Sequence, residues 1–472
     1  MLGGLLESSC AAATTTPSCA ALLHGHMSGV LLGQSRATVT NLICSRGGRH
    51  GDWSADYRLY SRDRVDEAVL FGQARDALLG ALADGEPLVA AIDDTIVRKT
   101  GKQIHGSGWK RDPLGPAFQT NLVRAQRYLQ ISAAFPLEDG GSRMVPVDFH
   151  HAPTPPKPGK NATPQQLEEH REARKQQNLN RVALERIGRL RRDTPAGRRL
   201  VMCGDGSFTN KAVLRGLPEG CTYIGRTRKD TALHYPPEPP VPGANGRPPR
   251  YGKAAPTPEE LRQDDSVPWQ TVSARAAGKR HEFRVKTCGP VLWPKAGPGV
   301  VLRLVVIAPL AYRLKKGSRL LYREPAYLLC TDPDLPLEKL LQYYLWRWGI
   351  EVNFREEKTL LGTGEAQVRT PASNRHLPAV TVAAYSLLWI AALRCHAAGD
   401  NPRSLAPSKW RRDRRPDGQP PATGELLRIL RYETWAGALR PGTLHHFVSR
   451  GQPDASAPKP RPDLAATLFA AA

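Results

Sequence analysis

Apolar runs with the length of β-strands recur through the middle of the chain. The run in EPLVAAIDDTIVRKTG (86–101) ends at two aspartates, Asp93 and Asp94. RAQRYLQISAAF and RMVPVDFHH follow as two further runs, and RRLVMCGDGSFTN supplies a fourth, which ends at Asp205. Short apolar runs bounded by turn residues predict buried strands. Two of the four predicted strands therefore end in carboxylates.

A Pro-rich break and one long charged helix separate the third predicted strand from the fourth. Thr163 as N-cap, Pro164 at the first helical position and Gln166 in the first turn predict the start of this helix, which extends to about Arg192. The order strand, strand, strand, helix, strand predicts an α/β fold of the RNase H-like type, a mixed sheet flanked by helices. In that fold the first and fourth strands are neighbours, so their carboxylates come together.

A third carboxylate lies on a helix that the sequence predicts to begin after Pro336. The segment YLWRWGIEVNFREEKTLLG (344–362) has Trp, Ile, Phe and Leu to bury. At roughly 100° per residue, its polar positions fall within an arc of about 80°. These positions are Tyr344, Arg347, Glu351, Arg355 and Lys358. Such a polar stripe indicates a charged partner on that side of the helix.

The rest of the chain divides around this core. The stretch between Asp205 and the helix after Pro336 is too long for a loop and is rich in β-branched and aromatic residues, which predicts a mostly β insertion. The arginines before residue 86 suit either DNA contacts or a plain helical cap. The predicted parts are a poorly ordered lead-in at 1–30, a helical N-terminal region at 31–86, a catalytic domain at 87–227 with 331–400, the β insertion at 228–330, and a basic loop with a C-terminal helix at 401–472.

Charge and composition narrow the class of partner. Lys and Arg number 67 against 44 Asp and Glu, and the formal net charge of +23 favours nucleic acid ahead of an acidic membrane. The longest apolar run, 377–393, is too short to span a bilayer and predicts a buried core helix, so we expect no membrane partner. The 8 cysteines form no CxxC pair. We expect reduced thiols in a cytoplasmic, nucleoid-associated protein.

Three separated carboxylates are a ligand set for a pair of Mg²⁺ ions that also hold water and phosphate. One ion activates a nucleophilic oxygen and the other stabilises the leaving oxygen, so such a site cuts and joins phosphodiester bonds. Arg347 and Lys358 then suit DNA phosphates beside the scissile bond, and Tyr344 adds a phosphate hydrogen bond. Paired carboxylates also serve glycoside hydrolysis, but the positive charge argues against a sugar substrate.

The spacing of Tyr344, Arg347, Glu351 and Lys358 matches Y-x2-R-x3-E-x6-K in full. This motif resembles the signature of bacterial DDE transposases of the insertion-sequence-four group and its relatives. The resemblance extends from IDDT through the Asp205 strand, YIGRTRKD and PAYLLCTDPDLP to EEKTLLGTGEAQVRT. It implies an RNase H-like catalytic domain with a β insertion between the second Asp and the Glu.

The resemblance also implies an activity, a cofactor and partners. Proteins of this kind use two Mg²⁺ ions, with Mn²⁺ as a substitute, for cut-and-paste transposition. They act as homodimers on the inverted repeats at transposon ends, free a 3′-hydroxyl and join the ends to target DNA. Many relatives cut the second strand through a DNA hairpin.

The site residues follow from matching positions. Asp205 and Glu351 match cleanly as catalytic metal ligands, whereas the first ligand is either Asp93 or Asp94. The family's pattern, with the acid directly before Thr, favours Asp94. Arg226 in YIGRTRKD matches a basic position that grips the DNA end in relatives, or is a salt-bridged surface residue.

Some alternatives stay open. Relatives that form hairpins flip a base onto a Trp of the insertion; Trp269 and Trp293 are available, although core packing is favoured for each. Asp148 with His150 and His151 forms a rival cluster that lacks a third ligand at metal spacing. A domesticated or inactive transposase that only binds DNA is the alternative function, although every acid of the expected site is present.

Overall fold

The structure is a computed structural model that describes residues 1–46, 52–113, 115–116, 118–239, 248–313, 317–398 and 421–436. Its strands are β1 (Leu88–Arg98), β2 (Gly108–Arg111), β3 (Leu122–Pro136), β4 (Ser142–His151), β5 (Leu200–Gly204), β6 (Cys221–Arg226), β7 (Leu233–His234), β8 (Ala254–Ala255), β9 (Gln270–Ala276), β10 (Lys279–Leu292), β11 (Val301–Ile307), β12 (Ala311–Tyr312), β13 (Leu321–Tyr322) and β14 (Ala326–Cys330).

The helices lie on both faces of the sheet and at the N-terminus. They are α1 (Leu2–Ala13), α2 (Pro17–Leu32), α3 (Val39–Ser45), α4 (Ser54–Ser61), α5 (Glu67–Leu70), α6 (Gly72–Ala81), α7 (Pro164–Gln176), α8 (Leu179–Asp193), α9 (Lys211–Gly216), α10 (Pro258–Gln263), α11 (Leu337–Trp346), α12 (Trp348–Thr359), α13 (Pro371–Ala397) and α14 (Thr423–Ala436).

Twelve strands form one mixed sheet, with the path β2-β3-β1-β5-β6-β14-β11-β10-β7-β8 and with β4 on β3 and β9 on β10. The predicted mixed sheet flanked by helices is therefore confirmed. The strand with Asp93 and the strand before Asp205 are parallel neighbours, because β1 pairs with β5 from Leu88 to Ile92. The short strand β2 was not predicted, so the fourth predicted strand is β5.

The segment predicted as a β insertion continues the same sheet. Its strand β14 pairs with β6 through Leu328 and Arg226, and β11 and β10 follow. The sequence-based boundaries at 228 and 330 therefore do not coincide with a break in the hydrogen-bonded sheet. This outcome depends on backbone pairing between strands that are far apart in sequence, which a local pattern does not specify.

The N-terminal lead-in expected at 1–30 is corrected by the structure. Residues in this range form α1 and α2, and Leu6, Leu23 and Met27 are buried. Both helices lie against α13. Their many small residues give little amphipathic contrast, yet they allow close helix packing, so the segment belongs to the hydrophobic core.

Two further helix predictions change in detail. The charged helix expected from Thr163 to about Arg192 has the predicted capping box, but it is two helices, since Asn178 caps the start of α8 through Asn180 N–H. The helix after Pro336 is also two helices, which meet at Arg347. The basic loop expected after residue 400 lies outside the described residues, whereas α14 is described.

Helix α13 is the buried core helix that the sequence predicts. It is long and apolar enough to cross a membrane by length and composition, but that apolar window is entirely enclosed by the fold. Pro378 lies inside the helix and has no N–H for the carbonyl of Asn374 four residues earlier. The Tyr128 hydroxyl donates to that carbonyl at 2.9 Å instead. A strand residue thus replaces the lost helical hydrogen bond.

Candidate active site

The first two carboxylates come together because of the parallel register of β1 and β5. The pairing of β1 with β5 ends at Ile92 and Gly204. Asp93 and Asp205 are the next residues of the two segments, so they occupy equivalent positions. After burial, the negative charge of Asp205 is the next cause that raises the pKa of Asp93. Asp205 begins a turn in which it accepts from Ser207 N–H at 2.8 Å and Ser207 Oγ–H at 3.0 Å.

Arg347 lies between the first aspartate and the glutamate of the motif. Its Nη1 is 3.2 Å from Asp93 Oδ2, and its Nη2 is 3.3 Å from Glu351 Oε1. Asp93 and Arg347 are largely buried, whereas the Glu351 side chain is 37% exposed. Burial, followed by the charge of Asp205, raises the pKa of Asp93 to about 7, while Arg347 acts in the opposite direction. Negative charge is thus concentrated at this point.

The break between α11 and α12 occurs at Arg347 itself. Arg347 N–H donates to the Tyr344 carbonyl, and Ile350 N–H donates to the Arg347 carbonyl, so both bonds span three residues instead of four. The dihedral angles of Arg347 stay in the helical region. The polar stripe therefore continues across the junction and faces β1.

Asp94 occupies the other face of β1. Consecutive strand residues point to opposite faces of a sheet, and the Asp94 carboxylate pairs with Arg127 at 3.1 Å. Burial raises the pKa of Asp94, the positive charge of Arg127 opposes this effect, Asp205 adds to it, and Lys110 opposes it more weakly. Asp93 therefore shares the face of Arg347 and Glu351, whereas Asp94, which the motif favours, lies on the opposite face.

The remaining residues of the predicted site border the same face. Lys358 Nζ donates to Thr95 Oγ1 at 2.5 Å, two residues beyond Asp93. Tyr344 lies with its ring centroid 5.7 Å from the Arg347 guanidinium carbon. Burial raises the pKa of Tyr344, and the charges of Arg347 and Arg226 act against this rise. Arg226, exposed at the end of β6, is thus close to Tyr344.

A buried polar cluster between α12 and β3 was not predicted from the sequence. Glu357 is fully buried and accepts from Gln130 Nε2 at 3.0 Å, and Gln130 is paired with Asp93 across β1 and β3. Ser132 Oγ accepts from Gln130 and from Asn353 at 3.1 Å each. Burial raises the pKa of Glu357 to about 8. The signal was the four-residue spacing of Asn353 and Glu357 on the buried side of the helix.

A neighbouring cluster around Glu356 fixes the same end of α12 to β4, α13 and α14. Glu356 Oε2 accepts from Arg143 at 2.6 Å, from Tyr385 at 2.7 Å and from Thr423 at 2.7 Å. The Trp389 indole donates to Thr423 at 3.1 Å. The helix that carries Glu351 is therefore held by buried polar contacts from β4, α13 and α14.

The alternatives raised by the sequence occupy other places. Asp148 pairs with Arg186 through two contacts, which makes it part of an ion pair. Trp293 is buried in the core. Trp269 is covered by Arg284 and by Lys286, at 5.2 Å and 4.6 Å from its ring centroid. Both tryptophans are therefore engaged by protein groups.

The carboxylates fit a divalent cation by their chemistry. Asp93, Asp205 and Glu351 offer only oxygen donors, and a cation would offset the burial and the charge of Asp205 that raise the pKa of Asp93. Their donor type fits, but their spacing does not form a closed ligand set, since among the described residues no group of three or more His, Cys, Asp and Glu could hold a metal ion. The Arg347 guanidinium is the positive charge that lies between Asp93 and Glu351.

Asp93 within β1, Asp205 directly after β5 and Glu351 on α12 lie on one face of the mixed sheet. Residues 21–290 match the family described as DDE superfamily endonuclease. The match covers more than half of the chain, and the chain belongs to this family. It includes Asp93 and Asp205 and ends before Glu351. No curated protein matches the chain.

Proposed function

We propose that the protein is a DNA transposase that cleaves phosphodiester bonds at transposon ends and transfers the ends to target DNA. The observation that carries this proposal is the grouping of Asp93, Asp205 and Glu351 on the face where Arg347 and Lys358 lie. Membership of the DDE superfamily endonucleases supports the nuclease part. The Y-x2-R-x3-E-x6-K spacing supports the insertion-sequence-four group.

Asp93, Asp205 and Glu351 would hold two Mg²⁺ ions, or Mn²⁺ in their place. When bound, the ions supply an activated oxygen nucleophile and stabilise the leaving oxygen. Asp93 takes the role that the sequence pattern favoured for Asp94, because only Asp93 faces Arg347. The polar network around Glu357 would keep α12 at a fixed distance from β1.

Four residues would bind DNA beside the carboxylates. Arg347 and Lys358 would contact phosphates, Tyr344 would donate a hydrogen bond from its hydroxyl, and Arg226 would grip the transposon end. All four border one face of the sheet, which supports a single DNA path. The partners would be the inverted repeats and the target DNA, bound by a homodimer in a cut-and-paste reaction, with a hairpin step as in many relatives.

The test is strand cleavage of an end-containing duplex in Mg²⁺ by the wild type and by Asp205→Asn. The variant should lose cleavage and joining yet bind the end within a few-fold of wild type, because the phosphate contacts lie elsewhere. Asp265→Asn, an exposed aspartate away from this face, is the matched control. Wild-type cleavage by Asp205→Asn would refute the site. A wild type that binds ends and never cuts would support a protein that only binds DNA.

A further inference from the structure

The β2–β3 hairpin carries an exposed surface that the proposed cleavage chemistry does not use. Trp109 is 69% exposed and Leu122 is 57% exposed. Cross-strand partners share one face of a sheet, and the register pairs Trp109 with Arg124 and Arg111 with Leu122. These four residues therefore form one surface, the hairpin patch.

The hairpin patch shares its face with the candidate active site. Along β3, residues alternate between the two faces, so Arg124 lies on the same side as Tyr128 and Gln130. Tyr128 is paired with Thr95, and Gln130 is paired with Asp93. At about 3.4 Å per residue, the patch lies roughly 20 Å along the strand from the level of Asp93. Gln126 and Tyr128 between them are buried against Asn374 of α13, so a DNA segment that reached both places would pass over this contact.

The surroundings of the patch are basic. In residues 98–127 the only acid is Asp112, and Arg98 pairs with it at 2.7 Å. Arg124 donates to the Lys102 carbonyl at 2.7 Å and to Ser107 Oγ at 3.0 Å, so it fixes the preceding loop. The Arg111 side chain is exposed beside Trp109. An apolar ring among cations suits a polyanion that also offers flat apolar groups.

We propose that the hairpin patch binds an unpaired segment of the DNA substrate, with a base stacked on the Trp109 indole and a phosphate beside Arg111. This proposal rests on the proposed function. Base faces inside a duplex are covered by neighbouring base pairs, so away from a blunt end only an unpaired base can lie flat on the indole. The patch therefore selects single-stranded or frayed DNA, whereas the phosphate contacts near Glu351 accept a duplex.

The test compares two DNAs bound to full-length protein that carries Asp205→Asn, so that the DNA stays intact. One DNA is an end-containing duplex, and the other is the same duplex with a single-stranded extension. Trp109→Ala should weaken binding of the extended DNA by about 5- to 150-fold, the equivalent of one lost base stack. Binding of the plain duplex should change little. Trp109→Phe should restore most of the affinity, because a phenyl ring also stacks.

Tyr322→Ala is the matched control, since Tyr322 is 65% exposed on β13, outside the large sheet. Equal losses on both DNAs, or no loss on the extended DNA, would overturn the proposal. A change in self-association measured by sedimentation, without a change in DNA affinity, would assign the patch to a second copy of the chain instead. Binding is measured without cleavage, so this outcome is independent of the cleavage test of Asp205.

Discussion

The two sides of β1 hold neighbouring aspartates in different electrostatic surroundings. On the α12 side, Asp93 meets the negative charge of Asp205, and Arg347 is shared between Asp93 and Glu351. On the opposite side, Asp94 also feels the charge of Asp205, but it pairs with Arg127 and is influenced by Lys110. Within direct ion-pair distance, Arg347 is shared between two carboxylates on the first side, whereas Asp94 has Arg127 to itself on the second. An excess of carboxylate is what a divalent cation requires, so position on one strand does not by itself make an acid a metal ligand.

The largest expected effect separates the two aspartates. Asp93→Asn should abolish cleavage in Mg²⁺, because it removes a charge from the side where the carboxylates are concentrated. Asp94→Asn should retain cleavage, since its partner Arg127 lies on the other face. A cleavage time course on an end-containing duplex measures both variants. Activity in Asp93→Asn with none in Asp94→Asn would reverse the comparison and restore the preference drawn from the motif.

The next effect concerns Glu357, whose buried hydrogen bond to Gln130 holds α12 against the sheet. The pKa of Glu357 is raised from 4.5 to about 8 by burial. A carboxyl with a higher pKa in the folded state destabilises that state as pH rises from about 4.5 through about 8. Each pKa unit corresponds to about 1.4 kcal/mol. Glu357→Gln should therefore gain stability relative to wild type across this window.

Urea unfolding at several pH values measures that gain. Glu338→Gln, on the exposed surface of α11, should show no such increase and serves as the control. A stability difference between Glu357→Gln and wild type that stays constant from pH 4.5 to 8 would mean that Glu357 is ionised in the fold.

A smaller effect tests the cations of the α12 side. Arg347→Ala and Lys358→Ala should each weaken end binding and lower the slope of log affinity against log salt by about one unit per lost phosphate contact. Glu351→Gln should keep the slope and fail to cleave. A salt titration of the three variants, with Arg171→Ala on the exposed helix α7 as control, measures this. Unchanged slopes with normal cleavage would indicate that the polar stripe of this helix is a solvated surface and does not bind DNA.

The smallest effect belongs to the opposite side of β1. Arg127→Ala removes the partner of Asp94 and should lower the free energy of unfolding by about 1 kcal/mol, as for a partly exposed ion pair. The cleavage rate and the slope of log DNA affinity against log salt should not change. Chemical denaturation and the cleavage assay together measure the variant. A loss of cleavage without a loss of stability would place the second side of β1 in the reaction.

The apolar runs before Asp93 and Asp205 predicted two strands, and both are present, but β1 continues past the aspartates to Arg98 instead of ending there. The sequence did not decide between Asp93 and Asp94, because β1 is buried on both faces and its apolar residues show no alternation. The prediction of a poorly ordered segment at 1–30 was wrong because the many small residues of α1 and α2 give no clear amphipathic pattern. The contact of Glu357 with Gln130 joins distant parts of the chain, and no local pattern reports it.

The continuous sheet has a consequence for motion. Ile224, Gly225 and Arg226 on β6 are paired with Cys330, Leu329 and Leu328 on β14. A hinge between the catalytic strands and the β10–β11 region would break these backbone hydrogen bonds, each of which contributes about 1 kcal/mol. Rigid-body rocking of that region is therefore disfavoured. Adaptation to a bound duplex is left to side chains and to the junction of α11 and α12, while Arg226 stays in register with the sheet.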